Sequence, residues 1–123
     1  MQSELALIAL LKSPETIRED VLRTFGDAED VAVKFAINWS WHHRRIKGMS
    51  QANAADHIGI RASHFCNILS GAKHLPPHKI NAFEWVTGNH AVTQTIQRFA
   101  AIRETEQSRQ LAQVIADHIT RAA

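Results

Sequence analysis

The sequence predicts an all-α fold, on three observations. Apolar residues recur three and four positions apart in one segment after another, the spacing of helices with one buried face. Glycines stand where those segments end, and Asp27, Ser50 and Pro77 stand where they begin. Hydrophobic residues make up 45% of the chain against only 3 prolines, a balance that favours a folded helical chain over disorder. At 123 residues one domain can close a single core without disulfides or metal.

Each element has its own justification. Ser3 to Leu11 is apolar and reads as a helix, and Ser13-Pro14-Glu15 restarts a second short one that ends near Phe25-Gly26, with proline in the first turn. Asp27 is placed to cap a long helix reaching to about Lys47, where Gly48 stops it. On that helix Val31, Phe35, Trp39, His42 and Ile46 form one stripe, and Val33, Ile37 and Trp41 lie on another face. One stripe suffices for the core. The second needs a cover, and the segment holding Leu5, Leu7, Ile8, Leu10 and Leu11 is expected to fold over Trp41, in the same chain or a partner. Pro76-Pro77 closes a loop and starts a helix bearing Ile80, Phe83 and Val86, which Gly88 ends. From His90 onward Val92, Ile96, Phe99, Leu111, Val114, Ile115 and Ile119 make an amphipathic pattern, in one long helix or two. The chain divides into an N-terminal helical cover (1–26), a central core (27–88) and a C-terminal helical segment (89–123), with no internal repeat and no low-complexity linker.

The most informative stretch is Met49 to Gly71, MSQANAADHIGIRASHFCNILSG. Ser50 can cap a helix over Gln51 to His57, in which the small Ala54 and Ala55 allow a second helix to cross closely. Gly59 supplies a left-handed stop, and Ile60 an apolar plug beneath the turn. Phe65, Ile68 and Leu69 then face inward, leaving Arg61, Ala62, Ser63, His64 and Asn67 outward. Two short helices joined by a tight glycine turn have the layout of a helix-turn-helix DNA reader. Over roughly Asp27 to Gly88 the chain resembles the lambda-repressor/Cro-like (XRE-type) family. The resemblance is carried by Ser50-Gln51, Ala55, Gly59-Ile60, Phe65 and Ile68, with Gly71 and Lys73 at the exit. It departs from the usual pattern at Arg61, where Ser or Thr is common, and at Leu69, where Glu is common. The resemblance implies a lambda-repressor-like helix-turn-helix bundle, here with extra N-terminal helices and a C-terminal amphipathic segment. It also implies a small regulator of the phage or mobile-element type.

The outward residues suit base reading in the major groove. Arg61 can donate twice to guanine, Asn67 can pair with adenine, Ala62 can touch a thymine methyl, and Ser63 and His64 can reach a base or a phosphate. Ser50 and Gln51, at the start of the preceding helix, and Lys73, just past the reading helix, are placed for phosphates. Arg44, Arg45 and Lys47 are further phosphate candidates, and they also suit a helix C-terminus without any ligand. The net charge of +2 is unevenly distributed. Ser40 to Ile80 holds six basic residues against Asp56 alone, or +5, so the remainder carries −3. Trp39 and Trp41 beside His42-His43-Arg44-Arg45 would also fit single-strand stacking, but their helical spacing favours core packing.

Other chemistries find little footing. His74 and His78 are separated by Pro76-Pro77, and His64 and Cys66 face apart on a helix, so eight histidines yield no metal site. Cys66 has no evident triad partner. With no glycine-rich phosphate loop or paired carboxylates either, neither enzyme activity nor a cofactor is expected. One cysteine permits no internal disulfide, which suits a cytoplasmic setting. Glu4 interrupts the first apolar run, so no signal peptide is expected, and no segment approaches membrane-spanning length. The expected function is sequence-specific binding of double-stranded DNA as a homodimer that represses by occupying an operator. The alternative is an antitoxin-like protein whose terminal helices bind a protein partner while the reader autoregulates its promoter. A third reading is a protein-binding module that has lost DNA binding.

Overall fold

The computed structural model describes residues 13–122, and the expected helix over Ser3–Leu11 lies outside them. The described residues form six α-helices: α1 (Glu19–Arg23), α2 (Glu29–His42), α3 (Gln51–Ile58), α4 (Ala62–Leu69), α5 (Ile80–Thr87) and α6 (Ala91–Ala122). A short 3-10 turn, Pro77–Lys79, leads into α5, where the paired prolines predicted a helix start. Among these residues there is no strand, only an isolated bridge between Glu15 and Asn89. The fold is all-α, as the periodicity predicts.

The first difference lies at residues 13–18, which are extended and not helical. The Glu15 N–H donates to the Gly88 carbonyl at 2.8 Å and its carbonyl accepts from His90 at 2.9 Å. The Gln94 side chain then bonds both backbone groups of Ile17, at 2.8 and 2.9 Å. These contacts with distant residues satisfy the backbone that a helix would otherwise have paired internally. Helix α1 is therefore only five residues long.

Helix α2 starts at Glu29 with Ala28 in the cap position, so Asp27 is not the cap, and it ends at His42, well short of Lys47 and Gly48. Nδ1 of His42 and of His43 each donates at 2.8 Å to a carbonyl four residues back. The Arg44 guanidinium donates to the carbonyls of Trp41, Lys47 and Met49 at 2.9, 2.8 and 3.2 Å. Together these groups occupy last-turn carbonyls and hold the chain in a reversal over 43–49.

The buried face of α2 also differs from the expected one. Ala32, Ala36, Ile37, Ser40 and Trp41 are buried, whereas Val31 is 46% and Phe35 57% exposed. Glu29, Ala32, Ala36 and Ser40 lie on one strip whose ends bond α6 and the residues just before it: Glu29 pairs with Arg103 of α6, and the Ser40 hydroxyl donates to Asn89, two residues ahead of the helix, at 2.9 Å. The strip therefore runs antiparallel to α6, and its small side chains allow a close approach. Trp41 is buried, and described residues account for its ring contacts. Its ring packs edge to face with Phe65, centroids 5.3 Å apart, and the Arg44 guanidinium lies over it at 4.1 Å.

The C-terminal segment is one helix of 32 residues, about 48 Å long. Ala91, Val92, Thr95 and Phe99 lie in the core, and every residue from Ala101 to Arg121 is exposed. The helix begins on a buried carboxylate. Glu84 of α5 accepts from the Thr93 N–H at 2.9 Å, the Thr93 hydroxyl at 2.7 Å and His90 Nδ1 at 3.0 Å. Asn89 Oδ1 takes the Ala91 N–H at 3.2 Å. A negative group there meets both the free N–H donors and the positive end of the helix dipole. Glu84→Ala strands these donors in a buried site, and is expected to lower unfolding free energy by about 2–3 kcal/mol. Urea denaturation checks this through a lower midpoint at an unchanged slope; a loss below about 0.5 kcal/mol would show that the carboxylate does not hold α6.

Candidate nucleic-acid interface

The surface begins with the local chemistry of 50–69. The Ser50 hydroxyl accepts the Asn53 N–H at 3.1 Å and caps α3 as expected. Ala54, Ala55 and Ile58 are buried, so α3 sits close beneath its neighbours. Gly59 adopts the left-handed conformation, with φ 86° and ψ 35°. Its N–H and that of Ile60 both donate to the Ala55 carbonyl, at 2.8 and 3.0 Å, closing α3 while the half-buried Ile60 packs on the core. Arg61 follows in extended conformation as the N-cap of α4, with no side-chain capping bond, and its carbonyl accepts from Phe65 at 2.9 Å.

Helix α4 is then divided cleanly between two faces. Phe65, Ile68 and Leu69 are buried; Arg61, Ala62, Ser63, Cys66 and Asn67 are exposed and His64 half-buried. Phe65 anchors the buried face between Trp41 and Phe83, whose rings lie 5.3 and 6.2 Å away. Asn38 of α2 adds a bond to the Leu69 carbonyl at 3.2 Å. Leu69, one of the two departures from the family pattern, thus serves as core.

Arg61, Ser63, His64 and Asn67 line one concave surface together with Asp56, Gly59 and Ile60. Ala62 is exposed on the same helix but outside that lining. The Asn67 carbonyl accepts from the N–H groups of Ala72 and Lys73, at 2.9 and 3.1 Å, and from the Ser70 hydroxyl at 3.0 Å. These bonds hold exposed Lys73 beside the end of α4. Gln51 and Lys47 are exposed at the approach to α3.

Two of the candidate phosphate ligands are placed differently. Arg44 is committed to the three carbonyls of the 43–49 reversal. Arg45 packs against Gly88, where an added Cβ would fall 2.5 Å from its Nε, and its N–H donates to the Thr87 carbonyl at 2.9 Å. Burial pushes the Arg45 guanidinium below its usual range, and nearby Glu15 opposes that shift. Neither arginine lines the α4 surface.

Sequence reasoning also left two charged groups unassigned. Asp56 contributes a negative group to the concave surface. Lys79 brings its ammonium to the α3–α4 turn, 3.0 Å from where a Cβ on Gly59 would stand. The excess of basic residues over 40–80 included Lys79, but no local periodicity ties it to that turn. Among the described residues no three His, Cys, Asp or Glu side chains gather as a metal site, and no helix is long and apolar enough to cross a membrane. No protein-family model, curated protein or solved structure matches the chain.

The two glycines flanking α3 supply a test of this geometry. Gly59→Ala places a Cβ at φ +86° and against Lys79, and is expected to cost about 1–2 kcal/mol. Gly48 has no positive φ and nothing within 4 Å of an added Cβ, so Gly48→Ala is expected to be neutral or slightly stabilising. Thermal unfolding of both variants checks the contrast. Equal losses would mean that the α3–α4 turn does not depend on a left-handed residue.

Proposed function

We propose that this chain is a sequence-specific binder of double-stranded DNA, of the lambda-repressor-like helix-turn-helix kind, acting as a homodimer that represses by occupying an operator. One observation carries the reading. Helix α4 is anchored by Phe65, Ile68 and Leu69 and offers Arg61, Ser63, His64 and Asn67 together to a concave, solvent-filled surface. A rigid helix presenting a guanidinium, an amide and a hydroxyl is the equipment that major-groove reading requires.

In this reading α4 enters the major groove. Arg61 donates its two parallel N–H bonds to a guanine, Asn67 pairs with an adenine edge, and Ala62 meets a thymine methyl. Ser63 and His64 complete the contact. Gln51 with the first N–H groups of α3 takes a phosphate, and Lys47, Lys73 and Lys79 supply positive charge along the backbone. Arg44 and Arg45 are left to their structural contacts. The second copy is joined through the exposed end of α6, where Leu111, Val114, Ile115 and Ile119 form a stripe that the described body leaves uncovered. A pair of readers about 34–36 Å apart would then match a two-fold site.

Three lysines per chain give about six phosphate contacts per dimer. Affinity for a duplex selected from a random pool should therefore fall roughly a thousandfold between about 50 and 200 mM salt. A titration series that stays flat with salt would remove the nucleic-acid reading. Arg61→Ala and Asn67→Ala should each relax base preference by about 1–3 kcal/mol, whereas Lys73→Ala should weaken selected and random duplexes alike. If Arg61→Ala weakened both duplexes equally, Arg61 would be a phosphate ligand and not a base reader.

The dimer has its own measurement. Light scattering at tens of micromolar is expected to give twice the chain mass, and a chain ended at Arg103 is expected to give the monomer. A monomeric full chain would instead favour the antitoxin-like reading, with the α6 stripe reserved for a different protein.

A further inference from the structure

Helix α2 has an outer face that the described residues leave bare. Val31 and Phe35 are the most exposed apolar side chains on it, and Trp39, one turn further on, is half-buried. Trp39 stacks on His43 at 4.0 Å and meets Phe25 at 6.0 Å, so its ring forms a firm wall between two depressions. One depression runs from Trp39 toward Phe35. The other is lined by Trp39, His43 and Ser13, so the first described residue borders the same depression as that tryptophan.

The twelve residues that precede Ser13 are MQSELALIALLK, with five large aliphatic side chains. Phe35 and Val31 lie four and eight residues back along α2 from Trp39, about 6 and 12 Å away. From Leu11 to Leu5 the chain covers about 9 Å as a helix, enough to run from Trp39 past Phe35, or about 20 Å extended, enough to reach Val31. The other uncovered apolar surface is out of reach. Glu15 is pinned to Asn89 at the start of α6, and Leu111 lies twenty residues beyond Ala91, about 30 Å along that helix.

We propose that the segment Leu5–Leu11 docks on the outer face of α2 in its own chain, over Val31, Phe35 and Trp39. Docking there removes both apolar surfaces from water together, and the anchor at Ser13 makes the encounter intramolecular, at high effective concentration. Its target is the α2 face opposite to the expected one, because Phe65 and Arg44 already cover Trp41. The surface is separate from the concave side of α4, so the inference does not depend on the DNA reading.

The test uses the full chain with Cys66→Ser and a nitroxide on Glu4→Cys, which leaves all five aliphatic residues in place. Amide resonances over Val31 to Trp39 are expected to broaden strongly, while those over Leu111 to Ile119 remain sharp. In an equal mixture of labelled, isotope-silent chain and unlabelled, isotope-visible chain the α2 broadening should vanish. Adding Phe35→Ser, a change at an exposed position that spares the core, should release the segment and restore the α2 signals without loss of helical circular dichroism. Sharp α2 signals in the original labelled chain would overturn the proposal. So would broadening that persists in the mixture, which would assign the face to a second copy, or broadening unchanged by Phe35→Ser.

Discussion

The Phe65 ring meets Trp41 of α2 edge to face with centroids 5.3 Å apart, and Phe83 of α5 with centroids 6.2 Å apart. This contact fixes α4 in rotation as well as position. A helix held by one fully buried aromatic between two others cannot roll without opening a cavity, and removal of such a ring costs about 3–5 kcal/mol. Because Ile68 and Leu69 are buried with Phe65, the direction in which Arg61, Ser63 and Asn67 point is decided on the opposite side of the helix. Precision on the exposed face is thus a consequence of packing on the hidden one.

A second dependence runs through α6. Its first turn and the residues leading into it draw together three otherwise separate pieces: Asn89 takes the Ser40 hydroxyl from α2, Glu84 is supplied by α5, and Gln94 holds the extended backbone at Ile17. Each of these groups satisfies a backbone or side-chain donor that would otherwise be buried without a partner. The same helix that locks the body then leaves it, and from Ala101 to Arg121 makes an exposed rod. A rod attached so firmly at its base can transmit the geometry of whatever binds its far end, a requirement for any pair of readers that must meet two sites in fixed register.

Where the sequence was legible, the signal was local. Ser50 and Gly59 act through hydrogen bonds within four residues, so the limits of α3 and the split faces of α4 could be read without knowing the rest of the fold. Gly88 ends α5 for the same reason. The face of α2 was misread because its buried strip is made of Ala32, Ala36 and Ser40. Small side chains carry little hydrophobic signal, yet they suit an approach by α6, while the bulkier Val31 and Phe35 dominate any periodicity count. The end of α2 and the extended stretch at 13–18 were hidden for another reason. Arg44 reaching three carbonyls, and Gln94 reaching Ile17 across 77 positions, are tertiary closures that local propensity does not encode. The continuity of α6 was left open by its polar middle. With neither glycine nor proline between Ala91 and Ala122, nothing interrupts the helix there.

The same closures change the meaning of the charge excess over 40–80. As a count it is +5, but Arg44 donates its guanidinium bonds to the free carbonyls of a chain reversal and Arg45 is wedged against Gly88 beside Glu15. Asp56, already counted in that +5, sits among the groups that line the α4 surface. Charge free to meet a polyanion is then Arg61 and the lysines at 47, 73 and 79. So small a set gives modest affinity in one copy, since each phosphate contact contributes through the release of about one counterion. Under the proposed reading useful occupancy of an operator must come from joining two such surfaces, where the second engages at a high effective concentration once the first is bound. On that proposal, a reader with two of its arginines committed to folding would need a second copy, and the uncovered stripe on α6 is the surface that would hold it.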